Sequence, residues 1–146
     1  MSKAIVNKLL RQITEAKELQ PETVLTLHAV FRDTLFEALH ISESKSGRCL
    51  VVAKIQSDSG RVIFRVSDLC LRPEIESEEL DEHTHTCLLF PNYCSCDTFV
   101  KGVILESSAL MCRHLLAVAI SHALNRTETI QLNDQDFAEH YYSWIA

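Results

Sequence analysis

Two pairs of residues whose side chains bind soft metal ions stand 15 residues apart in the second half of the sequence. Cys94 and Cys96 form the first pair, Cys112 and His114 form the second, and each pair encloses a single residue. In an extended segment, residues two apart point to the same side about 6.6 Å from each other, so a slight bend brings two sulfurs to the ~3.8 Å that a shared zinc ion requires. The first pair therefore suits a strand.

The second pair suits the start of a helix and not its interior. Inside a helix, residues two apart are separated by about 200° around the axis and cannot share an ion. We therefore predict that Cys112 lies at the entry to a helix and His114 in its first turn, where the positive end of the helix dipole favours a thiolate-rich ion. Arg113, between the two ligands, could offset its negative charge further. Four protein ligands leave no position for water, so the sequence predicts one structural Zn²⁺.

Other cysteines and histidines offer weaker alternatives. Free cysteines are often small buried hydrophobes, and we expect this of Cys49 and Cys70, which lie in apolar segments. A rival constellation alternates at His83, His85 and Cys87. Alternating polar residues usually mark the solvent side of a strand, so we expect no second metal site there.

Catalytic patterns are missing from the sequence. No serine or cysteine has a neighbouring histidine and acid at a motif spacing, and the three glycines do not form a phosphate-binding loop. We therefore expect neither an enzyme nor a small-molecule substrate.

Length, composition and charge limit the classes of protein that fit. With 146 residues and 47% hydrophobic content, the chain can bury one core. No apolar run has the length of a signal-peptide core or of a membrane span, so we expect a soluble intracellular protein without a membrane partner, whose six cysteines are free thiols or ligands. The net charge of −6 is the opposite of what an autonomous nucleic-acid binder usually carries.

Hydrophobic periodicity predicts an α+β fold. An amphipathic helix over 4–17 is followed by a second helix that begins at Pro21 and runs to His40, then by a small antiparallel sheet whose first hairpin turns near Gly60. The acidic segment 71–82 is typical of a solvated loop. A strand then leads into the zinc-anchored helix, and a last helix is capped by Asn133 or Asp134. We predict one domain over 1–146, with a helical part at 1–41, a sheet and zinc finger at 49–125 (zinc module about 84–125) and a C-terminal helix at 126–146.

The ligand spacing resembles a known pattern. C-x-C followed by C-x-H is the ligand pattern of the SWIM zinc finger, and the run THTCLLFPNYCSCDTFVKGVILESSALMCRHLLAVAISHAL is similar to the SWIM proteins of the Shu complex, a eukaryotic family of recombination mediators. In that family the motif extends to C-x-H-x-x-A, and Ala117 takes the last place here. The similarity runs from about Gly60 to Leu124, whereas the acidic segment and the aromatic C-terminal helix depart from the family.

The resemblance implies a function. Members of this family are non-enzymatic nuclear adaptors that pair with RecA-like recombinase paralogues, as a heterodimer or larger complex, and help recombinase filaments form or persist in homologous recombination. Single-stranded DNA would then be reached only through the complex. An adaptor needs an exposed apolar surface, which could include Leu25 and Phe36 of the second helix or Tyr141 and Trp144 of the last.

Three other interpretations stay open at this point. The second helix is apolar around much of its circumference, which is equally typical of a helix at the centre of the core. A zinc-anchored helix could dock directly on nucleic acid, although HLLAVAISHAL presents no row of basic or amide side chains to a base edge. A SWIM module could also serve ubiquitin transfer, although no kinase or ligase domain accompanies it.

Overall fold

The computed structural model of the chain describes residues 3–43, 52–67, 84–89, 92–105 and 110–145. Within these ranges it contains six helices and five strands, which confirms the α+β class. The order along the chain is α1 (Lys3–Ala16), α2 (Pro21–Phe31), α3 (Asp33–Glu43), β1 (Val52–Ser57), β2 (Val62–Ser67), β3 (Thr84–Leu89), β4 (Asn92–Cys94), a π-helix (Phe99–Leu105), α4 (Arg113–Ala123), β5 (Glu128–Leu132) and α5 (Asp134–Ile145).

The sheet is mixed and not purely antiparallel. Its strand order is β4-β3-β2-β1-β5, and β5 runs parallel to β1 whereas the other neighbours are antiparallel. The expectation of a small antiparallel sheet was therefore wrong for one strand, and the segment 126–146 holds β5 as well as the predicted helix. After α4, which packs on the sheet, the chain forms β5 beside β1 and in the same direction as β1. Parallel neighbours need a long crossover connection, and α4 is part of it. The proposed division of the chain into three parts stays a prediction.

Local signals in the sequence fix several boundaries. Pro21 begins α2, where its missing N–H costs nothing. Gly60 has φ 93° in the turn between β1 and β2, a conformation that glycine adopts without strain. At the start of α5, the amide of Asp136 donates to the side chain of Asn133 over 2.8 Å. Of the two predicted N-caps, Asn133 is therefore the one that caps α5.

The predicted continuous helix from Pro21 to His40 is broken at Arg32. Its backbone has φ 55° and ψ −130°, and its amide donates to the carbonyl of His28, which closes α2. The break turns the chain so that Leu27 of α2 and Leu35 of α3 are both fully buried. Burying side chains of this size stabilises a fold by about 1.5–3 kcal/mol each, which outweighs a strained residue.

The two faces of the sheet carry separate hydrophobic clusters, because side chains alternate along each strand. On one face α1, α2, α3 and α4 form the main core, and every residue of α4 from His114 to Ser121 is buried. On the other face α5 covers a smaller cluster of Ile55, Ile63 and Phe137. Among the described residues, no helix combines the length and apolar character needed to cross a bilayer.

Candidate metal centre

The four predicted ligands meet where β4, the turn after it and the start of α4 come together. One donor atom from each of Cys94, Cys96, Cys112 and His114 lies within 4.8 Å of the others, and all four residues are buried. A tetrahedral zinc ion needs sulfur–sulfur separations of ~3.8 Å, so small side-chain adjustments let these atoms share one ion. Cys112 and His114 lie at a helix start, as predicted, whereas the predicted strand holds only Cys94, and Cys96 lies in the bend after β4.

Backbone amides hold two of the sulfurs in place. Cys112 is the N-cap of α4, with extended backbone at φ −82° and ψ 171°, and its sulfur accepts a hydrogen bond from the amide of Leu115 over 3.4 Å. The sulfur of Cys96 accepts in the same way from the amide of Phe99, also over 3.4 Å. Hydrogen bonds of this kind favour the thiolate, which is the form that binds a metal.

Protons are shared unevenly among the three thiols. Hydrogen bonds with Cys112 and then Cys94 hold the pKa of Cys96 well below its usual range. The pKa of Cys112 is raised by its hydrogen bonds with Cys94 and Cys96 and by burial. The pKa of Cys94 is raised as well, because its hydrogen bond with Cys112 favours the thiolate but those with Cys87 and Cys96, together with burial, outweigh it. Zinc would displace protons from Cys94 and Cys112, so its binding releases protons.

The face of β3 that carries His85 and Cys87 points to this cluster, and the expectation that it faces solvent was wrong. Cys87 is fully buried and pairs directly with Cys94 across β3 and β4. The ring centroid of His85 is 4.2 Å from that of His114. Directly paired residues of neighbouring strands point to the same face of the sheet, so the side chain of Cys87 is buried beside that of Cys94. His83, Cys49 and Cys70 lie outside the described residues.

A π-helix (Phe99–Leu105) lies between the two ligand pairs, and no pattern in the sequence predicted it. Phe99 at its start is buried and meets the ring of Tyr93 with centroids 5.9 Å apart. Its outer residues are aliphatic: Val100, Ile104 and Leu105 are exposed. Single π-helical turns are rare and often adjoin functional sites. Here the segment carries the chain from Cys96 towards Cys112.

The residue between the second ligand pair ties the metal centre to the N-terminal helices. Arg113 donates to a carboxylate oxygen of Glu37 in α3 over 2.8 Å. We expected Arg113 to offset the charge of the metal, and the structure adds this specific partner. Both side chains are partly exposed, so the pair contributes less than about 1 kcal/mol, and its main consequence is the relative placement of α3 and α4.

The donor set fits zinc. Three thiolates and one imidazole are soft ligands that select zinc over hard cations such as Mg²⁺, and four protein ligands complete its tetrahedral shell. A site closed in this way stabilises structure and offers no position for a substrate. Ala117, one turn beyond His114, is fully buried within the main core.

Residues 80–123 match the family model of the SWIM zinc finger, a span that contains all four ligands. The chain contains a SWIM zinc finger. Its Cys94, Cys96, Cys112 and His114 cluster could bind one zinc ion.

The chain is also homologous, across most of its length, to proteins named zinc finger SWIM domain-containing protein 7. It is 26% identical to the Mus musculus protein over 92% of this chain and 78% of that relative. Identity to the Homo sapiens protein is 26% over 93% of this chain and 89% of the relative, and to the Danio rerio protein 28% over 92% and 85%. No solved structure matches the chain significantly. These relatives confirm the resemblance that the SWIM ligand spacing indicated.

The residues expected to contact a partner have different environments. Leu25 is 70% exposed and Phe36 57% exposed, and the Phe36 ring lies 5.1 Å from that of His28. We call Leu25, His28 and Phe36 the α2–α3 patch. Tyr141 is half-buried and stacks on Phe137 in the smaller cluster, so it is largely used within the chain. Trp144 lies in α5, but its side chain is outside the described part of the structure.

Proposed function

We propose that the chain is a non-enzymatic, zinc-stabilised adaptor that pairs with a RecA-like recombinase paralogue in the nucleus. In this role it promotes the assembly or stability of recombinase filaments during homologous recombination, as a heterodimer or within a larger complex. The homology to SWIM domain-containing protein 7 supports the zinc finger, and the Shu-complex resemblance of the SWIM region motivates the recombination role.

The observation that carries the adaptor proposal is the α2–α3 patch. Leu27 and Leu35 already fill the inner faces of α2 and α3, yet Leu25 and Phe36 leave large apolar side chains in solvent on the outside. A few well-packed residues at the centre of an interface usually carry most of the binding energy, and truncating one of them costs the complex about 2 kcal/mol or more, on the order of a thirtyfold loss of affinity. A partner that covers Leu25 and Phe36 would gain that stabilisation.

The buried state of α4 argues against direct DNA docking by the zinc-anchored helix. A helix enters the major groove with one face of side chains free to reach base edges. In α4 all eight residues from His114 to Ser121 are buried, so that face is not available. We propose that any contact with single-stranded DNA is made by the assembled complex and not by this helix.

The test is co-expression with a recombinase paralogue, followed by affinity purification and size-exclusion chromatography. We expect Leu25→Glu and Phe36→Glu to abolish co-purification, because each carboxylate would have to be desolvated in the interface without a counter-charge. Gln12→Glu adds the same charge at an exposed position of α1 and is the matched control. Zinc content and circular dichroism should be unchanged in all three variants.

Two results would contradict the adaptor proposal. One is a wild-type chain that shows no association with any recombinase paralogue. The other is tight, salt-dependent binding of the isolated chain to single-stranded DNA, which would favour a direct nucleic-acid module.

A further inference from the structure

The outer edge of β5 is an open hydrogen-bonding edge of the sheet. β5 stands last in the strand order, and among the residues that the structure describes no strand pairs with its far side. On its near side the amide of Asp58 donates to the carbonyl of Leu132 over 3.1 Å, which continues the parallel pairing with β1. This bond fixes the direction in which each backbone group of β5 points.

Backbone groups alternate along a strand, so the N–H and C=O of one residue point to one neighbour and those of the next point to the other. Because the carbonyl of Leu132 faces β1, the backbone groups of Glu128 and Ile130 face β1 as well. Those of Thr129 and Gln131 therefore point away from the sheet. Both residues are exposed.

Features that usually prevent edge pairing are sparse on β5. Natural edge strands are blunted by proline, lysine, inward-pointing charges or bulges. The segment from Glu128 to Leu132 reads ETIQL, with no proline and no lysine, and its register with β1 is unbroken over all five residues. The one charged side chain is Glu128, at the start of the strand. This edge suits the addition of a strand from another chain.

Charge indicates what kind of strand would be added. Residues 126–146 carry four carboxylates, Glu128, Asp134, Asp136 and Glu139, against a single basic side chain of lysine or arginine, Arg126 just before β5. Pairing β5 with a second copy of itself would bring two segments of net negative charge together, which is unfavourable. A segment that carries basic residues next to the C-terminal end of β5, where Asp134 and Asp136 follow, would instead find opposite charge there.

We infer that β5 is a docking edge for an extended segment of the partner chain that carries basic residues next to the C-terminal end of β5. The inference rests on the proposed function, because it names how the adaptor's partner is held in addition to the α2–α3 patch. Backbone pairing at Thr129 and Gln131 supplies the contact, and the carboxylates that follow β5 select the partner by charge.

Amide hydrogen exchange, followed by NMR on the ¹⁵N-labelled chain, tests the inference directly. In the free chain the amides of Glu128 and Ile130 are protected by β1, whereas those of Thr129 and Gln131 exchange freely. In the complex with the co-expressed recombinase paralogue, we expect exchange at Thr129 and Gln131 to slow at least about tenfold. Contact through side chains alone would not produce this alternate pattern.

A matched pair of variants adds an affinity readout. Thr129→Pro removes an outward N–H and leaves the pairing with β1 intact, so binding should weaken roughly tenfold. Thr129→Val keeps the N–H and should bind like the wild type. Zinc content and circular dichroism serve as checks of folding for both variants.

The outcomes separate this inference from the proposed function. A wild-type chain that forms no complex overturns both. A complex in which Thr129 and Gln131 still exchange freely overturns the docking edge and leaves the adaptor role standing. Protection of the two amides that appears in the free chain as its concentration rises assigns the edge to a second copy and also overturns the inference.

Discussion

Cys112 has two separable roles, and substituting it tests how the zinc finger supports the fold. Its sulfur is one of the four clustered donors, and the same atom caps α4 by accepting from the amide of Leu115. Serine is a good N-cap residue but a poor zinc ligand, whereas alanine is neither. Cys112→Ser therefore removes the metal and keeps the cap, and Cys112→Ala removes both.

The free energies expected from the loss of zinc and from the loss of the N-cap are very different. A structural zinc site can contribute on the order of 10 kcal/mol of apparent binding free energy, and the total stability of a domain is about 5–15 kcal/mol. Loss of zinc alone should therefore unfold most of the chain, since it frees the start of a helix that is buried from His114 to Ser121. Loss of the cap adds about 1 kcal/mol. Both variants should be poorly soluble, with serine slightly the better.

The measurements are zinc content by atomic emission and thermal unfolding by circular dichroism. Cys87→Ser is the matched control, because Cys87 is buried beside Cys94 but is not among the four clustered donors. It should keep one zinc and lose little stability. A Cys112→Ser protein without zinc that unfolds at the wild-type temperature would refute the structural role. Loss of zinc from Cys87→Ser but not from Cys112→Ser would refute the ligand assignment.

Two further predictions concern the N-terminal helices. Leu35→Ala should lower the free energy of unfolding by about 2–5 kcal/mol because Leu35 is fully buried, whereas Leu25→Ala should change it by less than about 0.5 kcal/mol, as urea denaturation can measure. Arg32→Gly should raise the free energy of unfolding by about 1 kcal/mol, because glycine adopts φ 55° without the strain that arginine bears, and Arg32→Ala should not. A destabilised Arg32→Gly protein would show that the kink is not strained.

The metal centre was the most predictable part of the molecule. Ligand type and spacing are local properties of the sequence, and geometry alone indicated a strand for Cys94 and a helix start for Cys112 and His114, although Cys96 lies in the bend after the strand. The neighbourhood of Cys87 was missed because it depends on which strand pairs with β3. Once Cys94 was assigned to a strand, the short interval from Cys87 to Cys94 could have indicated a tight antiparallel pair with both cysteines on one face.

Features that depend on distant parts of the chain could not be predicted. Arg32 breaks a helix without glycine or proline, because the gain from burying Leu27 and Leu35 in one core outweighs the local preference. β5 pairs with residues of β1 that stand 75 positions earlier in the chain, and its segment had been assigned to the C-terminal helical part at 126–146. The exposure of Leu25 and Phe36 became clear only when the packed faces of α2 and α3 were known.

X-ray absorption spectroscopy of the purified chain at the zinc edge tests the central claim most directly. A closed site of three cysteines and one histidine predicts one zinc per chain, with three sulfurs at about 2.3 Å, one nitrogen at about 2.0 Å and no oxygen ligand. A bound oxygen would mean an open position and would contradict a purely structural role. Four sulfur ligands would mean that Cys87, and not His114, binds the ion. Folded protein without zinc, or with two zinc ions per chain, would contradict the account altogether.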